Sequence, residues 1–268
     1  MTNDKCIMAM ENERRLFVAM FIERHGNGDQ TFFCLHGWSG DHTTFAPLAN
    51  YLPEGVALYC VDLPGCGRSR PPREWRLEEL TGEIAAEISR LDSHSVTVIG
   101  NCSGAILALS AMPLIAERVD RLILIDPFAF APWYFKLFVA TPVGKYAYLS
   151  TFANPIGRRI TNLWLRRHRT RATDLTVSFR DVDHEVSYEY LRMLCAIDGI
   201  ERFAWIESPV DIICGARTFG AIKRSVGMWR DLWPQARVFE LEGAGHLPIE
   251  EATEELSRII FHNHDRRT

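Results

Sequence analysis

One cysteine stands at the centre of a glycine-flanked segment, Gly100-Asn101-Cys102-Ser103-Gly104. An apolar strand-like run precedes this segment and an apolar helical run follows it, so the segment is predicted to turn sharply from a strand into a helix. Such a turn exposes its central side chain, and only small neighbours let the backbone approach so closely. The pattern predicts Cys102 as a nucleophile for acyl transfer. The alternative is a buried cysteine in a glycine-rich packing turn.

Backbone N–H groups near this turn are predicted to form an oxyanion hole. The turn aims the N–H of Ser103 and the positive end of the following helix at the atom that Cys102 attacks. A second donor, the N–H of Trp38, is expected from the loop Leu35-His36-Gly37-Trp38 after an early strand. His36 is expected to hold that loop by hydrogen bonds rather than to transfer protons.

A candidate base follows the last predicted strand, in Gly243-Ala244-Gly245-His246-Leu247-Pro248. Parallel-sheet enzymes collect their catalytic groups at the carboxyl ends of strands. We therefore expect His246 to reach Cys102 and to act as its general base, although the two are far apart in the chain. The alternative is a histidine at a helix entry with no role in proton transfer.

The elements that must position these groups alternate between short β-branched runs and helical stretches, which is typical of a doubly wound, mostly parallel α/β sheet. An edge strand or hairpin arm is expected over 14–23. The other predicted strands are 31–35, 56–60, 95–99, 121–125, 210–214 and 237–241, and the named helices are 77–91, 103–115 and 250–261.

This alternation breaks within an aromatic and arginine-rich segment, which we interpret as an inserted helical cap over 129–190. One core domain is then built from 1–128 and 191–268. The cap contains nine Lys/Arg against five Asp/Glu. Its excess charge favours the phosphates of coenzyme A or an acidic carrier protein, which makes Arg166, Arg167 and Arg169 candidate substrate-binding residues. The alternative is an ordinary solvated helix face.

Together these motifs resemble those of the α/β-hydrolase family. The oxyanion loop at His36-Gly37-Trp38, the loop Asp62-Leu63-Pro64-Gly65-Cys66-Gly67-Arg68-Ser69, the nucleophile elbow at Cys102 and the loop of His246 come in the family order, over roughly 15–262. The resemblance implies the α/β-hydrolase fold and acyl-transfer chemistry. It specifies no substrate.

The sequence departs from the common family pattern at two positions. Cysteine replaces the usual serine, as in some thioesterase domains, polyhydroxyalkanoate synthases and dienelactone hydrolases. The stretch Gly215-Ala216-Arg217-Thr218-Phe219-Gly220 lacks the acid that many members carry after the penultimate strand. Some members supply it from the preceding strand, which here ends at Asp126. Asp126 is therefore the expected third member of the triad; the alternatives are a structural aspartate or a Cys-His pair that works alone.

The thiol also suggests a substrate, because acylation of a thiol by a thioester exchanges like for like, whereas acylation by an ester or amide runs uphill. We expect hydrolysis of an acyl thioester bound to coenzyme A or a carrier protein. Three alternatives stay open: an acyltransferase, a cyclase, and a catalytically silent binding protein with this fold. Cap aromatic residues are expected to line an apolar acyl pocket.

Composition, charge and cysteine spacing bear on the remaining classes of partner, cofactor and location. Net charge is −4, and no nucleic-acid-binding motif accompanies the arginine cluster, so nucleic acid is not an expected partner. Seven cysteines lack paired CxxC spacing, so neither a metal nor another cofactor is expected. Cys34, Cys60 and Cys214 are expected to be small buried hydrophobes.

No signal-like apolar run follows the first residues, so membrane insertion is not expected and the default location is the cytoplasm. The oligomeric state is left open.

Overall fold

Seven strands form one sheet in this computed structural model, which describes residues 20–197 and 199–262. Their spatial order is β1-β3-β2-β4-β5-β6-β7, and only the edge strand β1 runs antiparallel to its neighbour. The strands are β1 (Ile22–Gly26), β2 (Gln30–Leu35), β3 (Val56–Val61), β4 (Val96–Asn101), β5 (Val119–Ile125), β6 (Val210–Gly215) and β7 (Arg237–Leu241). The predicted α/β-hydrolase fold is confirmed.

Helices cover both faces of this sheet, and those between β5 and β6 include the predicted cap segment. They are α1 (Ala46–Ala49), α2 (Leu77–Arg90), α3 (Ser103–Ile115), α4 (Trp133–Ala140), α5 (Gly144–Tyr148), α6 (Pro155–Trp164), α7 (His184–Ala196), α8 (Gly220–Leu232), α9 (Pro248–Glu251) and α10 (Thr253–His262). A π-helical turn, Leu149–Ala153, joins α5 to α6. Within the described ranges, no helix combines the length and the apolar content needed to cross a bilayer.

Most predicted elements agree with the structure to within two residues at their ends, and two differ. The edge strand lies at Ile22–Gly26, whereas most of the predicted stretch 14–23 lies outside the described residues. The predicted terminal helix is interrupted at Ala252, whose backbone leaves the helical region, so that it becomes α9 and α10. Helix α7 extends across the expected cap boundary at residue 190.

Two apolar clusters, one on each face of the sheet, form the core. The strands are buried almost throughout because both of their faces are covered, which explains their continuous apolar sequence. Cys34, Cys60 and Cys214 are buried among these side chains, as predicted for small hydrophobes. Burial raises the pKa of the Cys214 thiol to about 12, so this cysteine stays protonated.

An ion pair buried in the core joins the last strands to the terminal helix. Arg121 on β5 donates through Nε to Oδ2 of Asp211 on β6 at 2.9 Å, and through Nη1 to the carbonyl oxygen of Ile260 in α10 at 2.9 Å. Arg237 on β7 donates to the other carboxylate oxygen, Oδ1, at 2.6 Å. Because Arg121 and Asp211 are at most 4% exposed, each charge depends on its partners for the solvation it has lost.

Substitution of Arg121 by methionine should lower the free energy of unfolding by about 3 kcal/mol, since it removes one partner of a buried carboxylate and frees a helix carbonyl. Urea denaturation checks this value. Arg258→Met is the matched control, because its pair with Glu254 is exposed on the surface of α10, and it should cost less than about 1 kcal/mol. Equal losses in the two variants would contradict the role assigned to the buried pair.

Candidate active site

Cys102 lies at the tight turn that joins β4 to α3, in the predicted strand–turn–helix context. Its backbone has φ 51° and ψ −112°, a strained conformation for a residue with a side chain. The two flanking glycines permit the turn: a Cβ at Gly100 would lie 2.4 Å from Cα of Ala105, and one at Gly104 would lie 2.3 Å from the carbonyl oxygen of Leu35. A larger residue at position 100 would push β4 away from α3, and one at position 104 would push α3 away from the end of β2.

Asp126 directly follows β5 and is also strained, with φ 47°. Its carboxylate is fully buried and meets three donors. Oδ1 accepts the backbone N–H of Gly215 at 3.1 Å, and Oδ2 accepts the hydroxyl of Thr218. Nδ1 of His246 lies 2.7 Å from the same Oδ2. The structure therefore brings Asp126 and His246 together, and the loop after β6 supplies donors to the acid.

His246 also lies within interaction range of Cys102, since the thiol is among the groups that raise the pKa of the imidazole. Burial alone would lower the pKa of His246. The hydrogen bond with Asp126, the interaction with Cys102 and the negative charges that both groups can carry outweigh burial and raise this pKa to about 10. The ring of Phe219 packs against the imidazole with centroids 4.6 Å apart. This arrangement favours an imidazolium whenever its neighbours are ionised.

The predicted oxyanion loop lies beside Cys102. A Cβ built on Gly37 would be 3.1 Å from Cβ of Cys102, so the loop and the turn are in contact. Neither the N–H of Trp38 nor that of Ser103 donates a hydrogen bond to any group in the part of the chain that the structure describes. Both donors are therefore free to meet a developing oxyanion.

The Trp38 side chain points away from this chemistry and packs into the cap. Its Nε1 donates to the carbonyl oxygen of Ser187 in α7 at 2.8 Å. Four aromatic rings pack around the indole with centroids 4.8–6.1 Å away, those of Phe135, Tyr148, Phe152 and Phe179. The oxyanion loop is thus held by the aromatic core of the cap.

His36 and Asp62 hold the same loop by hydrogen bonds. Nδ1 of His36 donates to the carbonyl oxygen of Gly37 at 2.8 Å, and its Nε2 accepts the N–H of Leu63 at 3.0 Å. Both nitrogens are used, and burial lowers the pKa of this histidine, so it is neutral and structural. Asp62 lies near Asp41 and His42 in a potential metal-ligating group, but its two oxygens already accept from His42 and from the N–H of Arg68.

The cap also contacts the His246 loop directly. The carbonyl oxygen of His168 accepts the N–H of His246 at 2.8 Å. Glu251 joins the two segments: its Oε1 accepts the N–H of Thr170 at 2.5 Å and the hydroxyl of Thr173, and its Oε2 accepts the N–H of Gly245. The position of the His246 loop therefore depends on the cap segment over 168–173.

The three candidate substrate-binding arginines flank this contact. Arg166 and Arg167 are exposed on a short turn after α6. Arg169 is less exposed, and its Nη1 donates to the carbonyl oxygens of Thr170 and Thr173. These hydrogen bonds hold part of the Arg169 guanidinium against its own segment, whereas Arg166 and Arg167 are exposed to solvent.

The family model described as "Alpha/beta hydrolase family" matches residues 32–259, most of the chain. The chain belongs to the alpha/beta hydrolase family. It is accordingly an enzyme of the hydrolase class. The match covers Trp38, Cys102, Asp126 and His246 in one continuous span.

Curated relatives of this hydrolase include two proteins named pimeloyl-[acyl-carrier protein] methyl ester esterase. The one from Sodalis glossinidius is 32% identical over 34% of this chain and 34% of its own length, so the match spans about a third of that relative. The one from Aromatoleum aromaticum is 25% identical over 84% of this chain and 94% of its own length. A solved esterase from Thermogutta terrifontis has the same fold, with a TM-score of 0.74, 19% identity, and coverage of 90% of this chain and 91% of that chain.

Sequence reasoning missed three residues at this site. Thr218 lies in the stretch after the penultimate strand, where many family members carry the acid. The presence of a hydroxyl side chain in that stretch was the signal that could have found it. Glu251 had no signal, because its partners come from a distant segment of the cap. Tyr134 lies within electrostatic reach of Cys102, since burial raises the pKa of its phenol and a negative charge on Cys102 raises it further.

Substitution of Asp126 by asparagine should lower the pKa of His246 from about 10 toward the ordinary histidine value of about 6.5, because a negative charge and a charge-assisted hydrogen bond are lost. NMR titration of labelled histidines measures this change, with His246→Gln to assign the signal. Asp120→Asn, on the surface near Ser95 and Thr97, should leave it unchanged. An unaltered His246 titration in Asp126→Asn would refute the assigned contact.

Substitution of Glu251 by glutamine should loosen the His246 loop, since an amide presents an N–H where the carboxylate accepted one. We expect hydrogen exchange over 168–173 and 243–247 to become about tenfold faster, which corresponds to a loss of about 1.4 kcal/mol in local stability. The exposed neighbour Glu250 is the matched control, and Glu250→Gln should leave both segments protected. Equal exchange in the two variants would argue against the bridging role.

Proposed function

We propose that this hydrolase cleaves acyl thioesters through a covalent acyl-Cys102 intermediate, with His246 as acid and base and Asp126 orienting His246. The observation that carries the proposal is the convergence of Cys102, His246 and Asp126 at the carboxyl ends of β4, β5 and β7. Nδ1 of His246 lies 2.7 Å from the Asp126 carboxylate, and Cys102 lies within interaction range of the imidazole. Each member has the chemistry its role requires, and among the described residues the N–H groups of Trp38 and Ser103 donate to no other group.

In the proposed first half-reaction, the Cys102 proton passes to His246 and the thiolate attacks the acyl carbon. The carbonyl oxygen becomes an oxyanion, which the N–H groups of Trp38 and Ser103 stabilise. The bond to the donor sulfur then breaks, and the imidazolium gives its proton to the leaving thiolate. The raised pKa of His246 supports this sequence, because it favours the imidazolium during the time that Cys102 carries negative charge.

In the second half-reaction, His246 takes a proton from water, and the resulting hydroxide attacks the acyl-cysteine. The tetrahedral intermediate collapses to a carboxylic acid, and Cys102 recovers a proton from the imidazolium. Throughout these steps Asp126 holds Nδ1 of His246, and donors from Gly215 and Thr218 fix the position of its carboxyl group.

The nucleophile supports the thioester class. Thioester donors match the thiol, since the acyl group moves between equivalent sulfur atoms. The relatives are named as esterases of a methyl ester whose acyl group is carried by an acyl carrier protein, so they support a carrier-bound acyl substrate rather than the thioester bond itself. Arg166 and Arg167 are the exposed cations that would meet the donor's phosphate groups.

Transfer of the acyl group to an acceptor other than water is the second candidate. One observation favours it: Phe219 packs against the His246 ring and Phe128 lies 6.2 Å from it, so apolar groups flank the site at which water would be activated. Product analysis with and without amine or alcohol acceptors separates the two outcomes. Acid as the sole product under both conditions excludes transfer to these acceptors.

Substitution of Cys102 by alanine should lower kcat/KM for acyl-CoA hydrolysis by about a thousandfold or more, because no nucleophile remains. Intact-mass spectrometry of the wild type, quenched during turnover over a panel of acyl-CoA and acyl-carrier donors, should find one acyl group on Cys102. The panel also identifies the preferred donor.

Cys195→Ala is the matched control for this experiment, since Cys195 is another partly exposed thiol but lies on α7. It should keep both the adduct and the activity. Turnover in Cys102→Ala at the wild-type rate, or an adduct that maps to another cysteine, would refute the proposed nucleophile.

A further inference from the structure

Helix α6 carries its apolar face outward. Ile156, Ile160, Leu163 and Trp164 are 67%, 64%, 63% and 82% exposed. Their spacing places all four on one side of the helix, where a globular protein usually packs against its core. No residue of α6 is buried, so most of this apolar surface remains in contact with solvent. We call these four side chains the α6 apolar face.

The charges in the chain segment that contains this face are all of one sign. Between residues 127 and 173 the sequence has eight Lys/Arg and no Asp/Glu, so this segment carries +8 and the remainder of the chain −12. Arg159 on α6 is exposed, as are Arg166 and Arg167 just after it. Ile160, Leu163 and Trp164 line one surface cleft together with these last two arginines. Apolar and basic groups are thus presented to solvent together.

A second copy of this chain fits the surface poorly. A symmetric dimer through the α6 apolar face would bring two segments of +8 into contact, with no acidic residue between 127 and 173 to neutralise them. The binding partner must instead carry negative charge and offer an apolar environment to the three aliphatic side chains and the tryptophan of the α6 apolar face. The boundary between headgroups and acyl chains of an anionic bilayer offers both properties.

We propose that α6 docks this enzyme on anionic membranes, with the helix lying in the plane of the interface. Its ten residues give a length of about 15 Å, which fits such a location but does not span a bilayer. The α6 apolar face enters the acyl region, and Arg159, Arg166 and Arg167 contact lipid phosphates.

The docking surface is continuous with the candidate active site. His168 lines the same cleft as Trp164, and its carbonyl oxygen accepts the N–H of His246 at 2.8 Å. Docking through α6 therefore places the His246 loop next to the membrane, where long-chain acyl donors partition. The docking itself does not depend on the proposed chemistry, since it requires only the surface of the cap.

Sedimentation of the full chain with vesicles tests the proposal without any measurement of activity. Phosphatidylcholine vesicles with about 30% phosphatidylglycerol should bind the protein at least about tenfold more strongly than pure phosphatidylcholine vesicles, and added salt should weaken this binding. Ile160→Gln/Trp164→Gln and Arg166→Glu/Arg167→Glu should each reduce vesicle binding by about tenfold or more.

Matched controls carry the same changes on other surfaces. Leu114→Gln alters an apolar residue of α3 that is 60% exposed, and Arg230→Glu alters an exposed arginine of α8; both should bind vesicles as the wild type does. Quenching of tryptophan fluorescence by brominated lipid gives a second readout in the wild type, and Trp164→Gln should reduce it. Absence of binding to anionic vesicles, or equal binding by wild type and both α6 variants, would overturn the proposal. So would a dimer that covers α6, or binding only to acidic proteins.

Discussion

The hydrogen bond between Nδ1 of His246 and the buried carboxylate of Asp126 is the contact on which the site depends. A carboxylate without water is stable only when donors replace its hydration, and here the donors come from Gly215, Thr218 and His246. Three separate segments must therefore converge on one point at the sheet edge. Once they do, the imidazole has a defined orientation and its second partner is the thiol of Cys102.

Backbone strain at two adjacent strand ends makes this convergence possible. Cys102 and Asp126 both have positive φ, which costs free energy for residues with side chains. Each is held by a hydrogen bond to the next strand: the N–H of Cys102 donates to Ile125 at 2.7 Å, and that of Asp126 donates to Ile213 at 2.8 Å. These two bonds extend the hydrogen-bond ladder of the parallel sheet by one residue and offset the strain. Both side chains therefore lie at the same edge of the sheet.

The cap has two sides with different physical character. Its inner side forms an aromatic cluster around Trp38, and Glu251 ties the cap segment to the loop of His246. Its outer side leaves the apolar residues of α6 in solvent beside a run of arginines. The inner side thereby supports both the Trp38 loop and the His246 loop. The anionic bilayer that we propose as partner would satisfy the apolar and the charged groups of the outer side together.

The sequence alone determined the α/β architecture, because strands covered on both faces must be continuously apolar and their glycine-flanked turns allow few backbone paths. It also singled out Cys102, His246 and Asp126, whose residue types and positions at strand ends limit what they can do. Only the tertiary structure decided which groups surround them. Thr218 and Glu251 act through atoms supplied by segments distant in the chain, and side-chain hydrogen bonds of that kind leave no periodic pattern. The outward orientation of the apolar face of α6 could likewise not be predicted from the sequence. An amphipathic sequence specifies that a helix has an apolar face, but not whether the fold covers that face.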